Sequence, residues 1–349
     1  MSEIKIPIQN IYFLLCYAWK QLDEANKINV SASDYNQYID LFAKVLRNGC
    51  AYIFKRGLDR EYKPEVEELC RLRGKIDFNQ SIKNIARHSR KLSCKYDDLS
   101  HDILHNQIIK ATIKSVLKVQ QLDKNIRIEL LEIYKKMLHI SDINLNANHF
   151  KKVNLNRNNL FYRFIINVSW IIHENIVLDE KTGVYEFVDF VRDEKKMAVI
   201  FEHFIRNFYR EQLRHLGYEV KPEIIHWDVD KADPLAMDYL PVMKTDISIT
   251  SPSRKVIIDT KYYKECFQFH FEKKTLISGH FYQLIEYLEN SDVQSKNKYK
   301  SEGILLYPAV DFHESISFPV LRGHKVTVRM INLNQEWRKI AEDLLSYIN

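Results

Sequence analysis

The chain has 349 residues, 46% of them hydrophobic and 12% aromatic, which leaves room for two domains with real cores. No run of eighteen apolar residues occurs, and the opening MSEIKIPIQN has no cationic stretch ahead of an apolar one, so neither a membrane span nor a signal peptide is expected. A net charge of +6 permits contact with nucleic acid without demanding it, and five scattered cysteines with no C-x-x-C pair argue against a zinc site or a disulfide framework and for a reducing cytoplasm.

Asn10 to Ala25 reads as a first helix through Ile11, Leu14, Leu15, Ala18 and Trp19. A second is expected over 34–56, with Ile39, Leu41, Phe42, Val45, Leu46 and Ile53 as its apolar members and Gly57 as its stop. From Leu58 to Phe78 the pattern breaks into short extended pieces around Pro64 and Gly74, and KLSCKYDDLS then reads as a strand. Residues 102–121 predict an amphipathic helix and 123–138 another. The polar, asparagine-rich stretch 141–158 predicts a connection, and the domain break is placed there, giving domains over 1–155 and 156–349.

Residues 159–176 read as an apolar helix and 178–190 as irregular. The pattern then turns α/β: a helix from Asp193 to Leu216 stopped by Gly217, and strands near 219–227, 242–250 and 255–263. A helix carrying HFYQLIEYLEN, strands near 303–308 and 324–331, and a last helix from Asn334 follow. The eight glycines form neither G-x-x-x-x-G-K nor G-x-G-x-x-G, so no nucleotide is expected on this chain.

The text KTDISITSPSRKVIIDTKYYK reads as two strands joined by a turn at Pro252 and Ser253. Val256, Ile257 and Ile258 form an apolar run of the kind found in a buried central strand. Alternation puts Asp259 and Lys261 on one face and Thr260 on the other; pairing with the first strand would bring Asp246 to the same spot. Two carboxylates and a lysine at a strand end can bind Mg²⁺ and activate water for phosphodiester cleavage. A surface hairpin with a solvated salt bridge is the plainer alternative.

The order Asp246, Asp259-Thr260-Lys261, then Gln283 and Tyr287 on a helix resembles the PD-(D/E)xK nuclease superfamily in its RecB-like form. Across nearly the whole chain, IPIQNIYFLLCYAW, RGKIDF, CKYDDLSHDILHNQIIKATI, YEFVDFVRDEKKM, IIDTKYYK and INLNQEW resemble the McrC family, the nuclease subunits of McrBC restriction systems. The resemblance implies an α+β N-terminal domain that binds and stimulates a hexameric McrB-like AAA+ GTPase, followed by an α/β PD-(D/E)xK endonuclease domain. It also implies double-stranded DNA as substrate, commonly carrying 5-methylcytosine.

In that frame Asp246 and Asp259 would hold Mg²⁺, with Mn²⁺ as a substitute and the Thr260 carbonyl as a further ligand. Lys261 would orient the attacking water. Glu202, on the preceding helix, would complete the metal shell or be an ordinary helix glutamate. Gln283 and Tyr287 lie one turn apart and would orient the site, or simply pack the helix. Arg206, Arg210 and Arg214 fall at i, i+4 and i+8, a basic stripe for phosphates or a solvated face. Arg73 and Lys75 flank Gly74 in a loop that would contact the partner or be a plain turn. His105, His203 and His280 read as structural or surface residues. A non-catalytic adaptor of an AAA+ partner and a stand-alone RecB-like nuclease are the rival readings.

Overall fold

The computed structural model describes residues 6–19, 37–156, 159–178, 184–229, 238–262, 267–270, 273–296, 298, 300–309 and 315–348. Helix α1 (Ile8–Ala18) opens the chain. The chain forms two compact units: one is built on Gln37–Val188, and the other joins the N-terminal residues to Asp189 and all that follows.

The first unit contains α2 (Tyr38–Arg56), β1 (Glu61–Leu69), β2 (Lys75–Ile76), α3 (Phe78–Ala86), β3 (Leu92–Ser100) and α4 (Leu104–Val116). It continues with α5 (Lys124–Lys136), α6 (Ala147–Lys152), α7 (Leu160–Asn175), β4 (Ile176–Leu178) and β5 (Tyr185–Phe187). Helices α2, α4, α5 and α7 share a core that includes Leu41, Phe42, Leu46, Ile108, Ile113, Leu130, Phe164 and Ile165. Beside them β1, β3 and β2 form an antiparallel sheet in the order β1-β3-β2.

Helix α3, capped by Asp77 onto the Gln80 N–H, packs on β3 with its polar side. Ser81 and Asn84 are buried, and Ser81 Oγ accepts from the Ser93 N–H at 2.9 Å. The apolar positions Phe78, Ile82 and Ile85 are 69%, 63% and 61% exposed. That reverses the ordinary amphipathic arrangement, in which the apolar stripe faces the core. Charge gathers in the same place. Between Arg71 and Lys95 eight lysines and arginines stand against one acid, Asp77, a larger excess than the +6 of the whole chain.

The second unit continues from α1 with α8 (Glu194–Leu213), β6 (Glu219–Lys221), β7 (Ile224–Ile225), β8 (Met243–Lys244), β9 (Ile247–Thr250) and β10 (Lys255–Thr260). Then come β11 (Phe267–His270), β12 (Lys273–Leu276), α9 (Ser278–Gln294), β13 (Glu302–Pro308), β14 (Ile316–Leu321), β15 (His324–Ile331) and α10 (Trp337–Ser346). Six strands make one mixed sheet in the order β14-β15-β13-β10-β9-β6. β10, β13 and β15 are parallel neighbours, while β9 runs antiparallel to β10 and to β6.

Strand β10 is buried along its whole length, as a strand covered on both faces must be. Ile257, Leu305 and Tyr307 pack with Leu284 and Leu288 of α9. Gly303 permits that approach: a Cβ there would meet Leu288 Cδ1 at 2.8 Å and Leu284 Cδ2 at 3.0 Å. On the other face α8 runs along β6 and β10, with the Phe201 ring 5.8 Å from that of Tyr262. Asp193 starts α8 by accepting from the Lys195 and Lys196 N–H groups.

Several expectations change. The break expected at 155/156 falls inside the first unit, and α1 belongs to the second. There α1 packs along α8: Asn207 Nδ2 donates to the Tyr17 and Ala18 carbonyls, Asn10 Nδ2 donates to the Leu333 and Gln335 carbonyls, and Phe13 stacks on Trp337 at 4.9 Å. The first helix ends at Ala18 with Trp19 as its C-cap, and residues 20–25 of its expected span, like 34–36, lie outside the described residues. The expected connection 141–158 contains α6, closed by a capping box between Asn146 and His149. The stretch read as irregular includes the β4–β5 hairpin. Helix α3, the β11–β12 hairpin and β14 were not expected. No described helix is long and apolar enough to cross a membrane. The described cysteines are free, with Cys16, Cys50 and Cys94 buried and Cys70 exposed.

Candidate active site

The strand expected over 242–250 is two strands with a joint between them. β8 pairs with β7, β9 pairs with β6 and β10, and Thr245 sits at the change. The Thr245 N–H donates to the Glu223 carbonyl at 2.9 Å, and Thr245 Oγ1 accepts from the Glu223 N–H at 3.0 Å. This tie leaves Asp246 immediately before β9. The last registered pair is Ile258 with Ile247, so one step further along the ladder Asp246 falls opposite Asp259.

Asp259 is 1% exposed, and among the described residues neither of its carboxylate oxygens has a hydrogen-bond partner. Lys261 Nζ lies 2.8 Å from Asp259 Oδ2 and forms an ion pair with it. Burial pushes the Asp259 carboxyl up to about 7; the nearby Asp246 and Glu202 charges add to the rise and Lys261 opposes it. A buried carboxylate whose one close cation is Lys261 is costly to ionise in a bare protein.

Lys261 is held from a second side. Its Nζ donates to Gln283 Oε1 at 3.1 Å, Gln283 Nε2 donates to Tyr287 Oη at 2.8 Å, and Tyr287 Oη donates to the Lys244 carbonyl at 3.0 Å. The chain of contacts runs from α9 back to the strand preceding Asp246. Burial raises the Tyr287 phenol above its ordinary value, with Asp259 and Asp246 adding to the effect, so it remains a neutral donor. Gln283 and Tyr287 thus reach the site, and Tyr287 also packs in the core below it.

Thr260 enters through donors on Asp246. Its N–H and its Oγ1 each lie 2.8 Å from Asp246 Oδ2. His280, in the first turn of α9, also reaches this region: its Nδ1 is 3.0 Å from Tyr307 Oη, and burial and the Lys261 charge push it down to about 4. Only the chain fold could reveal the Thr260 hydroxyl and His280, since neither sits at a motif position that demands its side chain.

Glu202 and two of the arginines are engaged in contacts within the unit. Glu202 Oε1 is paired with Arg206 Nη1 at 2.5 Å, so its carboxylate is turned to its own helix. Among the described residues no three His, Cys, Asp or Glu side chains close into a metal cage. Arg206 also reaches the Asp246 carbonyl at 3.4 Å. Arg210 donates to the Val220 carbonyl at 3.0 Å and to Asn207 Oδ1 at 2.9 Å. Two of the three guanidinium groups are therefore internal clamps rather than a free phosphate stripe; Arg214 alone is exposed. Arg73 lies over the Tyr96 ring at 3.8 Å and pairs with Asp98 at 2.8 Å, which fixes it along β3, while Lys75 is an exposed residue of β2.

With this geometry established, the family described as McrBC 5-methylcytosine restriction system component matches residues 9–308. The chain belongs to that family. It is 32% identical over 345 residues to an Escherichia coli K12 protein described as the type IV methyl-directed restriction enzyme EcoKMcrBC, covering 99% of this chain and 98% of that one. Its fold is similar to that of a chain in the tetradecameric Thermococcus gammatolerans assembly of McrB AAA+ hexamers with bound McrC. The TM-score is 0.61 at 18% identity, over 98% of this chain and 76% of the other.

Proposed function

We propose that this chain is the Mg²⁺-dependent DNA endonuclease subunit of a modification-dependent restriction complex in the reducing cytoplasm, working with an AAA+ GTPase partner. Family membership and full-length similarity to a methyl-directed restriction enzyme support the system. The observation that carries the chemistry is the meeting of Asp246, Asp259 and Lys261 at one end of a mixed sheet flanked by α8 and α9, the arrangement of a PD-(D/E)xK nuclease.

The residues fit a hard divalent cation. Asp259 offers two buried oxygens with no hydrogen bond, and Asp246 stands beside it. Asp246, Asp259 and the Thr260 carbonyl would hold Mg²⁺ or Mn²⁺, and Glu202 would join on leaving Arg206. When bound, the ion supplies Lewis acidity that lowers the pKa of a water and offsets charge on the scissile phosphate.

Lys261 has the other task. Anchored between Asp259 and Gln283, its ammonium is fixed where it can donate to the attacking water or to a phosphate oxygen, with no reorganisation at the moment of reaction. Tyr287 and Gln283 hold that geometry. Of the three arginines only Arg214, just past the end of α8, is left for phosphate contacts, and phosphate contacts carry no sequence information, so selection of the DNA is assigned to the partner.

The first unit is the partner-facing part in this reading. Phe78, Ile82 and Ile85 form an exposed apolar stripe on α3 within the basic stretch 71–95. Such a stripe with a polar rim marks a protein contact rather than a solvated face. Its charge fits an acidic-rimmed surface, with Lys75 at the margin and Arg73 a supporting residue. The stimulation of GTP hydrolysis is assigned to this unit.

Purified Asp259→Ala and Lys261→Ala chains test the chemistry in a complex with partner and GTP. Each should lower cleavage by about 10³-fold or more while still binding the partner. Cleavage at the wild-type rate by both would reject the site.

A further inference from the structure

We infer that Thr260 is a positioning residue for the cation site, and that its hydroxyl sets the orientation of Asp246. The inference rests on the metal-dependent reading above. It begins with the end of a β-ladder. The Lys261 N–H donates to the Leu306 carbonyl on β13, 2.9 Å away. Successive N–H groups of a strand point to opposite neighbours, so the Thr260 N–H points to the β9 side. No backbone acceptor awaits it there, because the ladder with β9 ends at Ile258 and Thr245 is drawn to Glu223.

Asp246 Oδ2 takes the place of the missing carbonyl, and the Thr260 hydroxyl closes on the same oxygen. Two donors from one residue, in fixed relation to each other, remove the freedom of the carboxylate to rotate. The β-branched side chain restricts χ1 on the strand, and Thr260 is only 9% exposed, so water competes poorly for these bonds. Arg206 adds a third restraint at the Asp246 carbonyl. Asp246 is thereby fixed in one orientation before any cation arrives. Partners of this kind, one step removed from a metal, change its affinity by roughly 10–100-fold when deleted.

A simpler role would be to finish the ladder, which the N–H alone does. Thr260→Val separates the two roles: it keeps the branch and the N–H and puts a methyl in place of the hydroxyl. Thr260→Ser keeps the hydroxyl and loses a methyl. The probe is Mn²⁺ alone, titrated calorimetrically into the full chain, with thermal unfolding in chelator alongside.

We expect Thr260→Val to weaken Mn²⁺ binding by about 10-fold or more, and its cleavage in the complex to need correspondingly more Mg²⁺. Thr260→Ser should stay within about 3-fold of wild type, and both should melt close to wild type in chelator. If the valine chain does not fold, Thr260→Ala against Thr260→Ser gives the same contrast. Wild-type Mn²⁺ affinity in the chain lacking the hydroxyl overturns the inference. Asp259→Asn serves as the control on the underlying reading. If it too binds Mn²⁺ like wild type, the cation site itself is misplaced; if it loses Mn²⁺ while Thr260→Val does not, only the role of Thr260 falls.

Discussion

Helices α9 and α3 bury opposite kinds of residue. Helix α9 sets Leu284 and Leu288 into the core and offers Gln283 and Tyr287 to the ion pair above it. Helix α3 buries Ser81 and Asn84 and leaves Phe78, Ile82 and Ile85 outside. In the first region a buried carboxylate lies inside, with an ion pair to Lys261 and no hydrogen bond on either oxygen; in the second, uncovered apolar surface lies outside. Each is unfavourable for the isolated chain, and each is relieved by a different thing: a cation in one case, a protein surface in the other. On the proposed reading, the difference teaches that the chain's two tasks are divided between its compact units and can be broken separately.

The largest effect is expected at α3. Ile82→Glu combined with Lys83→Glu and Arg87→Glu should abolish stimulation of the partner's GTPase, since central apolar anchors of an interface each contribute about 2 kcal/mol or more. Mn²⁺ binding by the same chain should be untouched. GTPase rates titrated with the variant check this; full stimulation would remove the partner role from α3.

At the site, Tyr287→Phe deletes the donor to the Lys244 carbonyl and the acceptor for Gln283. Single-turnover cleavage should fall by about 10-fold, in line with one lost hydrogen bond to a group that orients the charged lysine. A rate as low as that of Lys261→Ala would mean the phenol touches the reacting atoms itself.

The pH dependence of stability also separates the regions. The Asp259 carboxyl is raised from 3.8 to about 7, so the fold prefers its protonated form. That contribution is full below about pH 4 and is lost as pH rises through about 7. The metal-free chain should therefore lose on the order of 2 kcal/mol from this group between about pH 5 and pH 8, and Asp259→Asn should remove the loss. Urea unfolding in chelator at both pH values measures it, and equal slopes for the two chains would contradict the burial argument. The smallest change is Gly303→Ala, which must push the ends of the Leu284 and Leu288 side chains aside and should cost about 1 kcal/mol without altering the Mn²⁺ affinity.

Much of the second unit was legible in the sequence, because its signals are local. Val256, Ile257 and Ile258 announce a strand buried on both faces, and alternation alone put Asp259 and Lys261 on one side. The joint at Thr245 was not legible: Met243–Lys244 and Ile247–Thr250 share one alternating pattern, and a contact with Glu223 decides where it breaks. Spacing also gives a direction on a helix but no partner. It aligned Arg206, Arg210 and Arg214, and could not tell that Glu202, Asn207 and the Val220 carbonyl would take up the first two. Helix α3 escaped because its apolar residues sit on the wrong side for a core. Helix α1 was assigned to the wrong unit because Asn10 finds its acceptors more than three hundred residues away.

The most direct test of the account is a cleavage assay on methylated and unmethylated plasmid, using the wild-type chain with and without the AAA+ partner, GTP and Mg²⁺. Double-strand cutting is expected only when all three are present, and only on the methylated plasmid. Efficient cutting by the chain alone in Mg²⁺, on either plasmid, would contradict the restriction-complex reading and make this a stand-alone nuclease.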